Sequence, residues 1–432
     1  MTPWLKELDS PTEGFIPAFA ARITEPDGYQ GALREALLHL VPRVDWQGYL
    51  PQVPHGLLGL AAVVELAPSL VEPSMLRLCA TQLQAFAREG RAPEARSLAT
   101  IGLGSGHWPN IDVALREHRP AMAWGELLAL EHPRSEDFHH LLCVAAPDMA
   151  NVGHKAVAVG AMERLWTSLG KSVEVGRVLL AWAGWFVATE PEDRFWHVRM
   201  ARRTSGVPVP TGVSNQGAAW QQSLAHEICE LGLVGMLDAL AACMKAGATA
   251  GDLLAGLVLA ASEKLLDARR DMEGKTAWNL AYLATLGRDL AGLGQPEVWG
   301  QAAAMVNFFP SDAPEDRYRW QKRAVDPAVL STALLEAILD GDPDVAMDLA
   351  ASSADSTKVM EACAEAASRN DPGFNRSSHV LAAAGAQQLL SFLPAWVAST
   401  MLIALAKSLA NSQGSDDLGR VADRELGRIQ PT

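Results

Sequence analysis

The chain is poor in cysteine, in aromatic residues and in positive charge. Its 432 residues hold five cysteines, 6% aromatic residues, and 36 Lys and Arg against 50 Asp and Glu. The cysteines (Cys79, Cys143, Cys229, Cys243 and Cys363) are scattered, and no two form a C-x-x-C pair. That usage predicts a reduced, cytoplasmic protein in which thiols serve as small core residues. A net charge of −14 argues against nucleic acid or an anionic membrane as a partner, because both require a basic footprint. The first fifteen residues show neither a positive n-region nor an apolar h-region, so no signal peptide is expected. The longest apolar run, at about 178–188, falls far short of the ~20 residues that a membrane helix needs. No Walker motif and no G-x-S-x-G elbow is present.

What is abundant is helical. Apolar residues make up 49% of the chain and charged residues 20%, enough to bury a sizeable core. The length allows two or three domains, or one large helical array. Apolar side chains recur at three- and four-residue spacing, as at Leu33, Leu37, Leu38 and Leu40, and β-branched runs are few. Pro/Gly-rich breaks at 104–109, 191–217, 310–314 and 340–343 read as loops between helices. The longest connection, about 190–215, carries Arg194, Trp196, His197, Arg199, Arg202 and Arg203. It reads as a solvated basic connection, with a lid as the functional alternative.

Four segments resemble one another: PHGLLGLAAVVELAPSL from Pro54, GHKAVAVGAMERLWTSLG from Gly153, GKTAWNLAYLATLGRDL from Gly274 and SHVLAAAGAQQLLSFLP from Ser378. Each starts at a turn and is followed by a second apolar helix, at 75–87, 173–187, 297–309 and 396–410. Their spacing of about a hundred residues is too long for a short solenoid and fits a several-helix unit used four times. The expectation is an all-α, single-domain array of pseudo-repeats (28–90, 136–190, 252–310 and 342–412) around a central pocket. A weaker upstream correspondence aligns His39, His140, Lys264 and Lys358.

Copies one, two and four place a histidine in the first helical turn: His55, His154 and His379; copy three has Lys275 there, with Trp278 three residues on. The positive end of a helix dipole disfavours an imidazolium, and the neutral ring is the form that binds metal. Equivalent positions in packed units would bring such rings to a common centre, and imidazole-rich sites suit iron, zinc or copper. The expected metal ligands are His55, His140, His154, Lys358 and His379, with His139 as a catalytic base and as the rival of His140. For any one of these residues the plainer alternative is a surface or core side chain. Lys358 would ligate only as a neutral amine or a carbamate. The His226-Glu227-x-x-Glu230 run lacks the second histidine of a zinc-protease helix. Gly102-x-Gly104-x-Gly106 follows no strand, and so does not read as a dinucleotide loop; His107 and Trp108 after it are candidates for a pocket wall.

Two stretches resemble the questin oxidase-like family. One runs from Gly28 to Phe86, with Trp46 and the P-H-G-L-L-G-L-A run at Pro54. The other is Lys358-Val-Met-Glu361-Ala-Cys363, followed by Asp371-Pro372. The family's second histidine in the first run is Ala62 here, and its histidine three before the lysine is Asp355, itself a possible ligand at i, i+3. The resemblance implies an all-helical fold, a mononuclear non-haem Fe(II) held by histidines and a carboxylated lysine, and oxidative cleavage of polycyclic aromatic polyketides with O2. It supports His55 and Lys358 directly. The leading expectation is therefore an oxygenase of secondary metabolism acting on a small aromatic or polyketide-like substrate, with zinc or another divalent ion as the alternative metal. The rivals are a non-catalytic helical ligand-binding or scaffold protein, and a degenerate family member that binds without turnover.

Overall fold

The computed structural model describes residues 2–9, 14–45, 55–89, 97–148, 153–189, 204, 206–207, 209–210, 212, 214–267, 275–287, 296–308, 320–369 and 377–413. The protein is all-α. Among the described residues it has twenty α-helices and no strand, and the one β pairing is an isolated antiparallel bridge between Asp45 and Ser97. None of these helices is long and apolar enough to cross a membrane. Two compact units result: Met1–Val64 with Leu76–Glu192, and Glu65–Met75 with Asp193–Thr432.

The first unit is built on α1 (Pro3–Asp9), α2 (Phe15–Ile23), α3 (Gly28–Leu40), α4 (His55–Leu66), α5 (Glu72–Glu89), α6 (Trp108–Arg116), α7 (Pro120–Leu128), α8 (Ser135–Ala145), α9 (His154–Ser168) and α10 (Val173–Val187); the adjoining ends of α4 and α5 belong to the second unit. Helices α9 and α10 are buried around nearly their whole circumference, α10 as an almost wholly apolar helix must be, and α9 with His154, Lys155 and Arg164 enclosed as well. Phe138 of α8 stacks on Trp166 of α9 at 5.4 Å between centroids, and α10 packs against α7 and α9. These aromatic contacts occupy the Trp and Phe residues as core.

The second unit contains α11 (Ala218–Glu230), α12 (Leu233–Lys245), α13 (Ala250–Asp267), α14 (Lys275–Gly287), α15 (Pro296–Phe308), α16 (Leu330–Leu339), α17 (Pro343–Ser352), α18 (Ser356–Arg369), α19 (Ser377–Leu389) and α20 (Ala395–Gln413). Its central helix is α13, buried along almost its full length between α11, α14 and α20. Gly385 lets α19 lie directly on α14: a Cβ there would sit 2.7 Å from the Leu280 carbonyl oxygen. The four segments that read alike in sequence thus fall on α4, α9, α14 and α19, each followed by its second helix.

Three lysines close helix ends through buried or part-buried hydrogen bonds. Lys155 of α9 donates to the carbonyls of Val187 and Thr189 at the end of α10. Lys264 of α13 donates to the Asn307 carbonyl of α15, at 2.9 Å. Lys407 of α20 donates to the Leu266 carbonyl of α13. The last carbonyls of a helix have no intrahelical partner and carry the negative end of the dipole, so an ammonium suits them. Burial nonetheless holds all three ammonium groups below the ordinary lysine range, against the attraction of nearby carboxylates.

Candidate functional site: a buried histidine pair

In the first unit the chain brings together two of the expected ligands, from positions 99 residues apart. The Nε2 atoms of His55 and His154 lie 3.4 Å from each other. The rings meet edge to face, with centroids 5.5 Å apart and planes at 82°. Both residues are buried, at 5% and 8% exposure. His55 is the first residue of α4 and His154 the first of α9, so each ring projects from a helix N-terminus. Gly153 precedes His154 with φ +79°, a left-handed conformation that glycine adopts without steric cost and that turns the chain into α9.

The pair is held from both sides. On one, α4 lies against α5 through glycine: a Cβ at Gly56 would sit 2.3 Å from the Phe86 backbone nitrogen. Gly56→Ala is therefore expected to push α4 off α5, at about 1–3 kcal/mol. Chemical denaturation would measure the loss, and an unchanged midpoint would contradict the close packing. On the other side, Lys155 follows His154 directly. Its Nζ, 1% exposed, donates to Asp148 Oδ2 at 2.6 Å, Thr189 O at 2.7 Å and Val187 O at 3.2 Å.

A further polar group lies close by. Gly59 is one turn beyond His55, on the same side of α4. A Cβ there would sit 1.8 Å from Oε1 of Gln82, so this amide of α5 lies on the α4 backbone. Gln82 is fully buried, and among the described residues neither amide atom has a hydrogen-bond partner. A buried amide without partners costs about 1–3 kcal/mol, which a bound polar group would relieve. Gln82 carried a sequence signal: it interrupts the apolar stripe Leu78, Cys79, Leu83 and Phe86.

The other candidates have different surroundings. His140 is half exposed; its Nε2 lies 2.8 Å from Asp112 Oδ1, and its ring packs on Trp108 at 4.6 Å. His139 places its Nε2 3.5 Å from the sulfur of Cys143. His39 lies between Asp9, at 2.7 Å, and Arg43, at 2.9 Å. Lys358 donates to the Pro327 carbonyl at 2.6 Å, and Asp355 accepts from the Thr357 backbone. His379, in the second unit, is buried in the first turn of α19 with its Nε2 3.4 Å from the Ser408 hydroxyl. Of the four positions aligned upstream of the repeats, the two histidines, His39 and His140, each lie on an aspartate carboxylate, and the two lysines, Lys264 and Lys358, each donate to a backbone carbonyl. Among the described residues no three His, Cys, Asp or Glu side chains form a group that would by itself enclose a metal ion. Asp371 and Pro372, the basic stretch from Arg194 to Arg203 and the Lys275 side chain lie outside the described residues.

The glycine-rich loop at 102–106 has its own occupant. One oxygen of Glu126 accepts from the backbone nitrogens of Ser105, Gly106 and His107 and from the Ser105 hydroxyl, at 2.8–3.4 Å. Burial raises the Glu126 carboxyl, but these donors outweigh it and hold the group below the ordinary glutamate range. The glycines thus wrap an internal carboxylate.

No protein-family model matches the chain, and neither a curated protein nor a solved structure matches it.

Proposed function

We propose that the protein is a metal-dependent oxidoreductase whose metal is held at His55 and His154, in the form of a non-haem iron oxygenase that oxidises or cleaves an aromatic, polyketide-type small molecule. The observation that carries the metal reading is the 3.4 Å separation of the two Nε2 atoms. Two metal–nitrogen bonds of ~2.1 Å at a tetrahedral angle span about 3.4 Å, and right-angled bonds span about 3.0 Å. Two neutral imidazoles facing each other at this distance offer lone pairs to one cation. Burial and the start of two helices suit the neutral ring. The unpartnered Gln82 amide adds a donor and an acceptor for a polar group bound nearby.

The resemblance of the Gly28–Phe86 and Lys358–Cys363 stretches to questin oxidase-like proteins favours iron and dioxygen over zinc. A bound iron would supply the redox chemistry. The chain's own part is to present two imidazoles fixed in orientation by α4 and α9, and to exclude bulk water from them. Lys155 fixes the start of α9, and with it the second ring.

Metal analysis of tag-free protein tests this. Wild type is expected to carry about one equivalent of a first-row metal, and His55→Ala and His154→Ala each to lose at least tenfold in occupancy. Iron together with oxygen consumption in the presence of a polycyclic aromatic phenol would support the full reading. Stoichiometric zinc would keep the site and remove the oxygenase. Metal-free wild type after reconstitution with Fe(II) would overturn both and leave a non-catalytic helical protein.

A further inference from the structure

The five cysteines are not equivalent. Cys79 and Cys363 are fully enclosed, and burial pushes each thiol up to about 12. Burial also pushes Cys229 up to about 12, and its sulfur lies 3.6 Å from the Ala260 carbonyl oxygen. Cys243 is raised by burial and then by the Glu227 carboxylate. All four are held as thiols, and the thiol is not the nucleophile.

Cys143 differs in kind. It is half-buried on α8, and its sulfur lies 3.5 Å from Nε2 of His139, one turn back on the same helix. His139 is half-buried too, so both groups reach the surface of the first unit. An i, i+4 pair on a helix shares a face, which brings thiol and imidazole into contact. Cys143 sits in the last turn of α8, where the carbonyl end of the helix opposes a thiolate. Any activation of this sulfur must therefore come from the imidazole rather than from the helix.

We infer that Cys143 and His139 form a reactive thiol–imidazole pair, a modification site that takes a mixed disulfide from a low-molecular-weight disulfide. The step balances. His139 Nε2 accepts the thiol proton, and the Cys143 sulfur attacks one sulfur of the disulfide. The new S–S bond forms as the old one breaks, and the departing thiolate is protonated by the imidazolium. Cys143 is oxidised and half of the small disulfide is reduced, with no further oxidant. The proposal uses neither His55 nor His154 and does not depend on a metal between them.

Labelling of the folded, full-length chain tests this, using one equivalent of an aromatic disulfide, 5,5′-dithiobis(2-nitrobenzoate). Released thiolate gives the rate, and peptide mass spectrometry gives the position. Cys143 is expected to take the label first, at a rate about threefold or more above that of glutathione. A neighbouring base that takes the thiol proton during attack gives only such a modest factor, because sulfur nucleophilicity falls as acidity rises. Cys143→Ser should remove the fast phase. His139→Gln should slow Cys143 about threefold or more, with helical circular dichroism unchanged. First labelling at Cys229 or Cys243, or a His139→Gln protein that reacts at the wild-type rate, would overturn the assignment. The labelling order needs no variant, so the test holds even where His139→Gln fails to fold.

Discussion

Lys155→Met is expected to lower the unfolding free energy by about 3–5 kcal/mol. Methionine fills nearly the same volume, so little of this loss is packing. What goes is an ammonium that serves three acceptors: the Asp148 carboxylate and the carbonyls of Val187 and Thr189. Removing one member of a buried ion pair strands the other, and two carbonyls at the end of α10 lose their donor. Asp148 keeps some contact with water, which moderates its share. Asp148→Asn in the Lys155→Met background should therefore recover part of the loss, the signature of a coupled pair. The pH dependence has a definite sign. Burial holds the Lys155 ammonium below the ordinary lysine range, with Asp148 opposing. Between the folded and unfolded values the unfolded chain binds more protons, so wild-type stability rises with pH across that window. Lys264 and Lys407 add slopes of the same sign. The slope should therefore be smaller in Lys155→Met, not absent. Urea unfolding at neutral pH and near pH 9.5 measures both effects. A neutral-pH loss below about 1 kcal/mol would show that Lys155 does not cap α10 as described.

The helical class and the helix pairs were legible because apolar period alone carries them: α10 has the bounds 173–187 that its spacing predicts. The facing of His55 and His154 was legible through the likeness of their segments, since both open a helix. Partner choice was not. His140 and Lys358 align with other residues in sequence, yet Asp112 and the Pro327 carbonyl take them, because those neighbours come from elements that the alignment does not reach. Lys155 has no signal of its own beside His154, since a lysine in a helix sequence looks like solvent surface until its burial is known. The glycine-rich loop, which follows no strand and does not read as a dinucleotide site, hides its partner for a related reason: three glycines mark a backbone that binds an anion, but not that the anion is the protein's own Glu126. Thr249-x-x-Asp252 is a signal of the opposite kind, since a capping box can be read from sequence.

That capping box carries the second large effect. Asp252→Ala is expected to cost about 3–5 kcal/mol at neutral pH. Asp252 is fully buried in the first turn of α13 and uses both oxygens. Oδ2 accepts from the Thr249 backbone nitrogen at 2.9 Å and its hydroxyl at 2.8 Å, while the Thr249 hydroxyl also accepts from the Asp252 backbone. Oδ1 accepts from the Ser214 hydroxyl and from the backbone nitrogens of Asn215 and Gln216, at 2.8–3.0 Å. Loss of the carboxylate thus uncaps the central helix of the second unit and frees the end of the long connection, which Pro210 and Gly212 otherwise hold to α13 through backbone bonds. Burial raises this carboxyl, but the donors from Thr249, Gln216 and Ser214 outweigh it and hold the group below the ordinary aspartate range. On acidification the unfolded chain therefore takes up a proton first. The contribution of Asp252 is complete above the ordinary range and is lost as pH falls through the folded value. The gap between wild type and Asp252→Ala should be full at pH 7 and narrow toward pH 2. A gap that stays constant over that range would mean that packing, rather than the charged cap, holds the start of α13.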